Sequence, residues 1–244
     1  MTRELARVPR RNDVFYRLAH FFGSGVLNVC SRSVILHRER TQREGGFLLA
    51  ANHLSPFDVP CLMKASSRAL DFVSIVEVFE TPFVAWLYGS LNAMPLDRHN
   101  QDLVTVREIV QRLRTGRVVA IFPEGRIHRP GESVLLGGAV TEGFGQMAMM
   151  ADVPIVPCVV LGSKNFYGVS PWLPFRHTRY AMAFGEPLRA PKVDAEGSAL
   201  GRARSWRLLE EQWRASMVSL YDELSTELRE RRGFGSLLLE DSES

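Results

Sequence analysis

Three short runs of apolar residues constrain this chain more than any other feature: Gly46-Phe47-Leu48-Leu49-Ala50-Ala51, Val118-Val119-Ala120-Ile121-Phe122 and Val153-Pro154-Ile155-Val156-Pro157-Cys158-Val159-Val160. A short run that is apolar at every position suits a strand covered on both faces, as in the middle of a parallel sheet. Between the runs lie stretches with helical spacing. Residues 102–115 place Leu103, Val106, Ile109, Val110 and Leu113 on one side, and Gly116 follows as a C-terminal cap. Shorter strands are predicted over residues 34–38, 69–76, 91–98 and 180–184, and helices from Pro56, over 83–88 and over 135–150. Strand and helix alternate, so the expected class is α/β, a mostly parallel central sheet flanked by helices.

The ends of the first two runs carry the residues with chemistry. Ala51-Asn52-His53-Leu54-Ser55-Pro56-Phe57-Asp58 leaves the first strand and enters a helix, with Ser55 as N-cap and Pro56 at the first helical position. Asp58 falls in the first turn, where a carboxylate suits the exposed N–H groups. The turn can fold the His53 imidazole back onto Asp58, and a histidine oriented by a carboxylate is what a general base acting on a hydroxyl requires. The same residues also fit a capping carboxylate beside an ordinary loop histidine. The second run delivers Pro123-Glu124-Gly125-Arg126 to the carboxyl edge of the sheet, where open parallel sheets bind ligands.

Asn52 and His-x-x-x-x-Asp after an apolar strand, then Leu96-Asp97-Arg98, then Phe122-Pro123-Glu124-Gly125, then the proline-led strand 153–160 stand in the order of four blocks of the glycerolipid acyltransferases. The chain resembles that family over roughly residues 30–190. The resemblance implies a glycerol-3-phosphate acyltransferase-like fold and transfer of a fatty acyl group to a lipid hydroxyl, with the thioester of acyl-CoA or acyl carrier protein as donor. It implies that His53 takes the hydroxyl proton and that Asp58 holds the imidazole tautomer. Asn52, Arg98, Glu124, Gly125, Arg126 and Arg129 become candidates for binding substrate, the arginines through an acceptor phosphate. No metal, bound cofactor or covalent enzyme intermediate is expected.

The departures concern the acceptor. The family commonly continues Phe-Pro-Glu-Gly with Thr-Arg-Ser, whereas Arg126 follows Gly125 directly and Ile127-His128-Arg129 come next. Either Arg126 reaches the same phosphate by another angle or Arg129 takes over. Lysines common in the family are replaced by Ile75-Val76 and by Gly137. The leading acceptor is 1-acylglycerol-3-phosphate. Another lysolipid, such as an amino-acid-linked lipid, a catalytically silent membrane-binding relative and a thioesterase remain alternatives. Glu124 could fix its loop, pair with an arginine or accept from the substrate.

Three segments are expected: 1–32 membrane-associating, 33–190 catalytic, and 200–233 a C-terminal helix. Residues 1–44 hold nine arginines against four acids, which suits an anionic lipid surface. Val14, Phe15, Leu18, Phe22, Val26 and Val29 share one helical face, with a bend expected at Gly23-Ser24-Gly25. That stretch is interrupted by Arg17, His20 and Asn28, so it falls short of the roughly 20 apolar residues of a membrane span. A peripheral protein on the cytoplasmic membrane face follows, with membrane lipids and the acyl donor as partners. The overall charge of +3 does not suggest nucleic acid. Cys30, Cys61 and Cys158 are too scattered for zinc and read as reduced, buried thiols. Aromatics in the loop 162–176 could face a membrane or pack on the core, and Met147, Met149 and Met150 read as core. Trp206, Leu209, Trp213, Met217, Leu220, Leu224 and Leu228 step by three and four along a long helix, which could cover the sheet or mediate a homodimer. Residues 237–244 read as a frayed acidic tail.

Overall fold

The computed structural model describes residues 13–97, 102–175, 177–191 and 199–239. Helix α1 (Asp13–Cys30) leads into β1 (Ser31–Leu36). There follow β2 (Phe47–Ala51), α2 (Asp58–Ala65), β3 (Leu70–Ile75), α3 (Pro82–Ser90), β4 (Met94–Leu96), α4 (Leu103–Arg114) and β5 (Val118–Ile121). Helix α5 (Phe144–Ala151), β6 (Ile155–Leu161), β7 (Thr178–Phe184) and α6 (Ala199–Glu230) complete the order. The seven strands form one sheet in the order β1-β7-β6-β2-β5-β3-β4. β6, β2, β5, β3 and β4 run parallel, whereas β7 meets β6 antiparallel and carries β1 with it.

The three apolar runs are the three central neighbours β6, β2 and β5, and every residue of these strands is buried. Their side chains alternate between two cores. Leu48, Ala50, Val119 and Ile121 face α4, α5 and α6, while Phe47, Leu49, Ala51, Val118 and Ala120 face α1 and α2. The sheet is therefore sandwiched between helical layers, as the sequence predicts.

The α6 stripe is spent on the sheet. Leu209, Trp213, Met217, Leu220, Leu224 and Leu228 are buried, and Trp213 Nε1 donates to the carbonyl of Ala50 on β2 (3.2 Å). Of the two uses open to this face, covering the sheet is the one seen within the chain. The chain beyond α6 also packs. Leu237 is buried, and the Tyr221 hydroxyl both donates to and accepts from the backbone of Leu239 (3.1 and 3.0 Å). The frayed tail expected from residue 237 is thus corrected as far as Leu239; residues 240–244 and the basic segment 1–12 lie outside the described residues.

Two helices of this frame also differ from expectation. α1 runs unbroken through Gly23 and Gly25, because Tyr16, Leu27 and Cys30 anchor it on both sides of them. Tertiary packing outweighs the roughly 1 kcal/mol that each helical glycine costs. Helix α5 begins at Phe144 rather than near residue 135. Gly143 takes φ 108°, outside the helical region, and the backbone before it forms only short turns. Glu210 of α6 caps the late start by accepting from Gly143 N (2.9 Å) and Gly145 N (2.7 Å).

Candidate active site

β2 and β5 are parallel neighbours, with Ala50 opposite Ile121. Residues leaving the two strands therefore emerge side by side at the carboxyl edge of the sheet. From β2 come Asn52 and His53, and from β5 come Phe122, Pro123 and Glu124.

The predicted histidine–aspartate pair is formed. His53 Nδ1 lies 2.8 Å from Asp58 Oδ2. The same oxygen accepts from Leu54 N (2.9 Å) and Ser55 N (3.0 Å), and Asp58 is fully buried. A carboxylate oxygen that accepts two backbone N–H groups acts as an acceptor toward the ring as well. Nδ1 therefore carries the proton and Nε2 holds the lone pair. Locally, Ser55 shapes the turn: its hydroxyl accepts from Phe57 N (3.1 Å), and α2 begins at Asp58 rather than at Pro56. Asp58 thereby sits in the first turn, where unsatisfied N–H groups favour its charge.

Glu124 joins the two strand ends. Its Oε2 accepts from His53 N (2.6 Å), and its Oε1 accepts from Ser133 Oγ (2.8 Å) and Val134 N (2.7 Å). Of the three roles open to it, the geometry supports fixing the loop. Gly125 closes the corner at φ 73°, donating to Phe122 O (2.9 Å). His128 then returns to the site: its N–H donates to His53 O (2.9 Å), and its ring Nε2 meets Glu124 O (3.2 Å). The His53 ring lies almost flat on Phe122, with centroids 4.0 Å apart and planes at 16°.

The remaining predicted residues separate. Asn52 does not face the site; this corrects its reading as a substrate contact. It is fully buried, donating to Val160 O (2.9 Å) and accepting from Val160 N (2.7 Å), so its amide clamps the end of β2 to β6. Arg126 and Arg129 have exposed side chains on the loop after Gly125. Arg126 is 70% exposed and 3.8 Å from Glu132, a loose pair that leaves it open to an anion. Arg98 lies outside the described residues. Ser133 and His128 escaped the sequence reading; only the position of His128 four residues after Glu124 could have marked it.

Cysteine chemistry is disfavoured beside the pair. Burial pushes the Cys158 thiol well up, with the Asp58 charge adding to the effect, and burial likewise pushes up Cys61 and Cys30.

A model of the family described as Acyltransferase matches residues 33–161, from β1 through β6. The chain belongs to the acyltransferase family. The matched span holds both strand ends and every residue of the His53–Asp58–Glu124 arrangement. This acyltransferase is 26% identical over 156 residues to a 1-acyl-sn-glycerol-3-phosphate acyltransferase of Bacillus subtilis, covering 63% of this chain and 72% of that protein. It is 28% identical over 152 residues to an uncharacterized protein of Mycobacterium tuberculosis, covering 53% of this chain and 37% of the other. Its fold resembles the crystal structure of the 1-acyl-sn-glycerophosphate acyltransferase PlsC from Thermotoga maritima. The TM-score is 0.56 at 21% identity, over 88% of this chain and 81% of the other. Among the described residues of the acyltransferase, no helix is long and apolar enough to cross a membrane.

Proposed function

We propose that this acyltransferase moves a fatty acyl group from acyl-CoA or acyl carrier protein to the free hydroxyl of a lysophospholipid, 1-acylglycerol-3-phosphate first among acceptors. The observation that carries the reading is the His53–Asp58 hydrogen bond of 2.8 Å, set beside the corner that Glu124 locks. With Nδ1–H held by Asp58, Nε2 takes the proton from the acceptor hydroxyl as its oxygen attacks the thioester carbonyl. The ring becomes an imidazolium beside a buried carboxylate. It then returns the proton to the departing thiolate, so that ester and thiol form with no net proton change. The similarity to the Bacillus subtilis protein supports the choice of acceptor. The exposed Arg126 and Arg129 suit a phosphate headgroup, because a guanidinium can meet two of its oxygens at once.

Peripheral membrane binding belongs to the same proposal. Val14, Leu18, Phe21, Phe22, Val26 and Val29 of α1 are exposed, as are Phe83 and Trp86 of α3. Phe15 meets Trp86 edge-on at 5.5 Å and links the two helices. An apolar surface of this extent on a chain whose substrates are lipids fits the headgroup boundary.

The test is His53→Ala, checked by circular dichroism for retained fold, in a reaction of acyl-CoA with a mixture of lysolipids. Transfer should fall by about a hundred- to ten-thousandfold, the usual worth of general-base catalysis. Unchanged transfer would remove His53 from the chemistry. The lipid that gains the acyl chain names the acceptor, and thiol release independent of any acceptor would point to hydrolysis instead.

A further inference from the structure

Asp58 holds only one edge of the His53 ring. A hydrogen bond to Nδ1 selects the tautomer but leaves the ring able to tilt about that bond. Phe122, the first residue beyond β5, supplies the missing constraint, lying 4.0 Å from the imidazole and within 16° of parallel. The other histidine–aromatic stack among the described residues, His20 on Tyr16, is far looser at 6.4 Å. The face of a benzene ring is the negative end of its quadrupole and attracts a cation lying on it. An imidazolium gains from that face more than a neutral imidazole does.

We infer that Phe122 is a positioning residue that sets the basicity of His53 by stacking beneath its imidazole. The inference takes its functional meaning from the general-base reading above. Among the described residues, the other ionisable groups around His53 are few. Asp58 on α2 holds Nδ1, and Glu124 binds the main-chain N–H (2.6 Å). His128 holds the carbonyl of His53, with its own Nδ1 3.4 Å from Glu132, and Arg126 and Arg129 lie exposed beyond it. From β6, Cys158 adjoins Asp58 and is kept neutral by burial. All of these are unchanged by a substitution confined to the Phe122 ring.

The experiment replaces Phe122 with a series of progressively fluorinated phenylalanines, which nearly keep the ring's shape while draining its negative face. The titration of His53 is followed by NMR of isotope-labelled histidine, with its signal assigned by its loss in His53→Gln. Its titration midpoint should move stepwise to lower pH across the series. A flat series would overturn the inference whether or not the chain proves active on lysolipids. Conversely, a falling series without acyl transfer would leave the stacking intact and sink the proposed function. In the transfer assay, Phe122→Leu should move the acid limb of the pH profile to lower pH and cut the plateau by about three- to tenfold, with Phe122→Trp restoring both. A loss of rate with an unmoved limb would make Phe122 packing alone.

Discussion

Glu124→Gln separates a carboxylate that joins two strand ends from one that serves the substrate. The carboxylate accepts from His53 N at 2.6 Å through one oxygen, and from Ser133 Oγ at 2.8 Å and Val134 N at 2.7 Å through the other. Glutamine is nearly the same size but has one acceptor oxygen and one donor group. Whichever way its amide turns, the NH2 meets a backbone N–H, that of His53 or that of Val134. One donor in a buried corner is left without an acceptor, which costs about 1–3 kcal/mol. For a chain of this size each kcal/mol moves the melting temperature by about 2–4 °C, so a drop of about 2–12 °C is expected in calorimetry. Activity should fall about ten- to a hundredfold when measured well below the transition, because the backbone carrying the base has lost its anchor. A melting temperature within about 1 °C of the parent would refute the reasoning, since an unpaired buried N–H cannot be that cheap. Lost activity at unchanged stability would assign Glu124 to the substrate.

Asp58→Asn keeps an acceptor for Leu54 N and Ser55 N but removes the charge that stabilises the imidazolium; transfer should fall about a hundred- to ten-thousandfold with the fold retained, read by kcat on lysolipid and acyl-CoA. Burial raises the Glu210 pKa against the pull of Gly145 N and Gly143 N, with Glu142 adding to the rise. A raised folded pKa gives stability that is full below the ordinary glutamate range and is lost as pH rises through the folded value. Glu210→Gln keeps an acceptor for the two glycines without the charge, so urea melts should show the parent losing stability toward neutral pH relative to the variant; parallel curves would refute this. Phe21→Ser with Phe22→Ser, both on the exposed face of α1, should weaken sedimentation with anionic vesicles while leaving the circular dichroism unchanged. Equal sedimentation would move any lipid contact elsewhere.

The features legible in the sequence were those fixed by neighbours in the chain. The apolar runs show because central strands are covered on both faces, and each such strand must state this at every position. His53 and Asp58 show because one strand-to-helix turn contains both. The α6 stripe shows because one helical face repeats, although only its burial against Ala50 and the sheet decides that it covers this chain. The illegible features depend on partners far away in sequence. The Asn52 amide is satisfied by Val160, 108 residues on, and Glu124 reaches His53 across 71. Nothing local marks the reversal of β7 against β6. Gly23 and Gly25 signal a break that distant packing overrides, whereas Gly143 breaks the chain where spacing suggested a helix.

The Phe-Pro-Glu-Gly corner is held by partners distant in sequence. Glu124 points back under the site, to His53 N, Ser133 and Val134, and Gly125 turns the chain at φ 73°. Beyond Gly125, the corner is held by His128 and by the Ser133–Val134 turn that Glu124 binds. Arg126, Ile127 and Arg129 follow with exposed side chains. Substitutions there can change what the loop presents to a headgroup without disturbing the His53–Asp58 pair. The departure from Thr-Arg-Ser therefore has two sides: Arg126 and Ile127 change what the loop exposes, whereas His128 turns back to His53 O and Glu124 O.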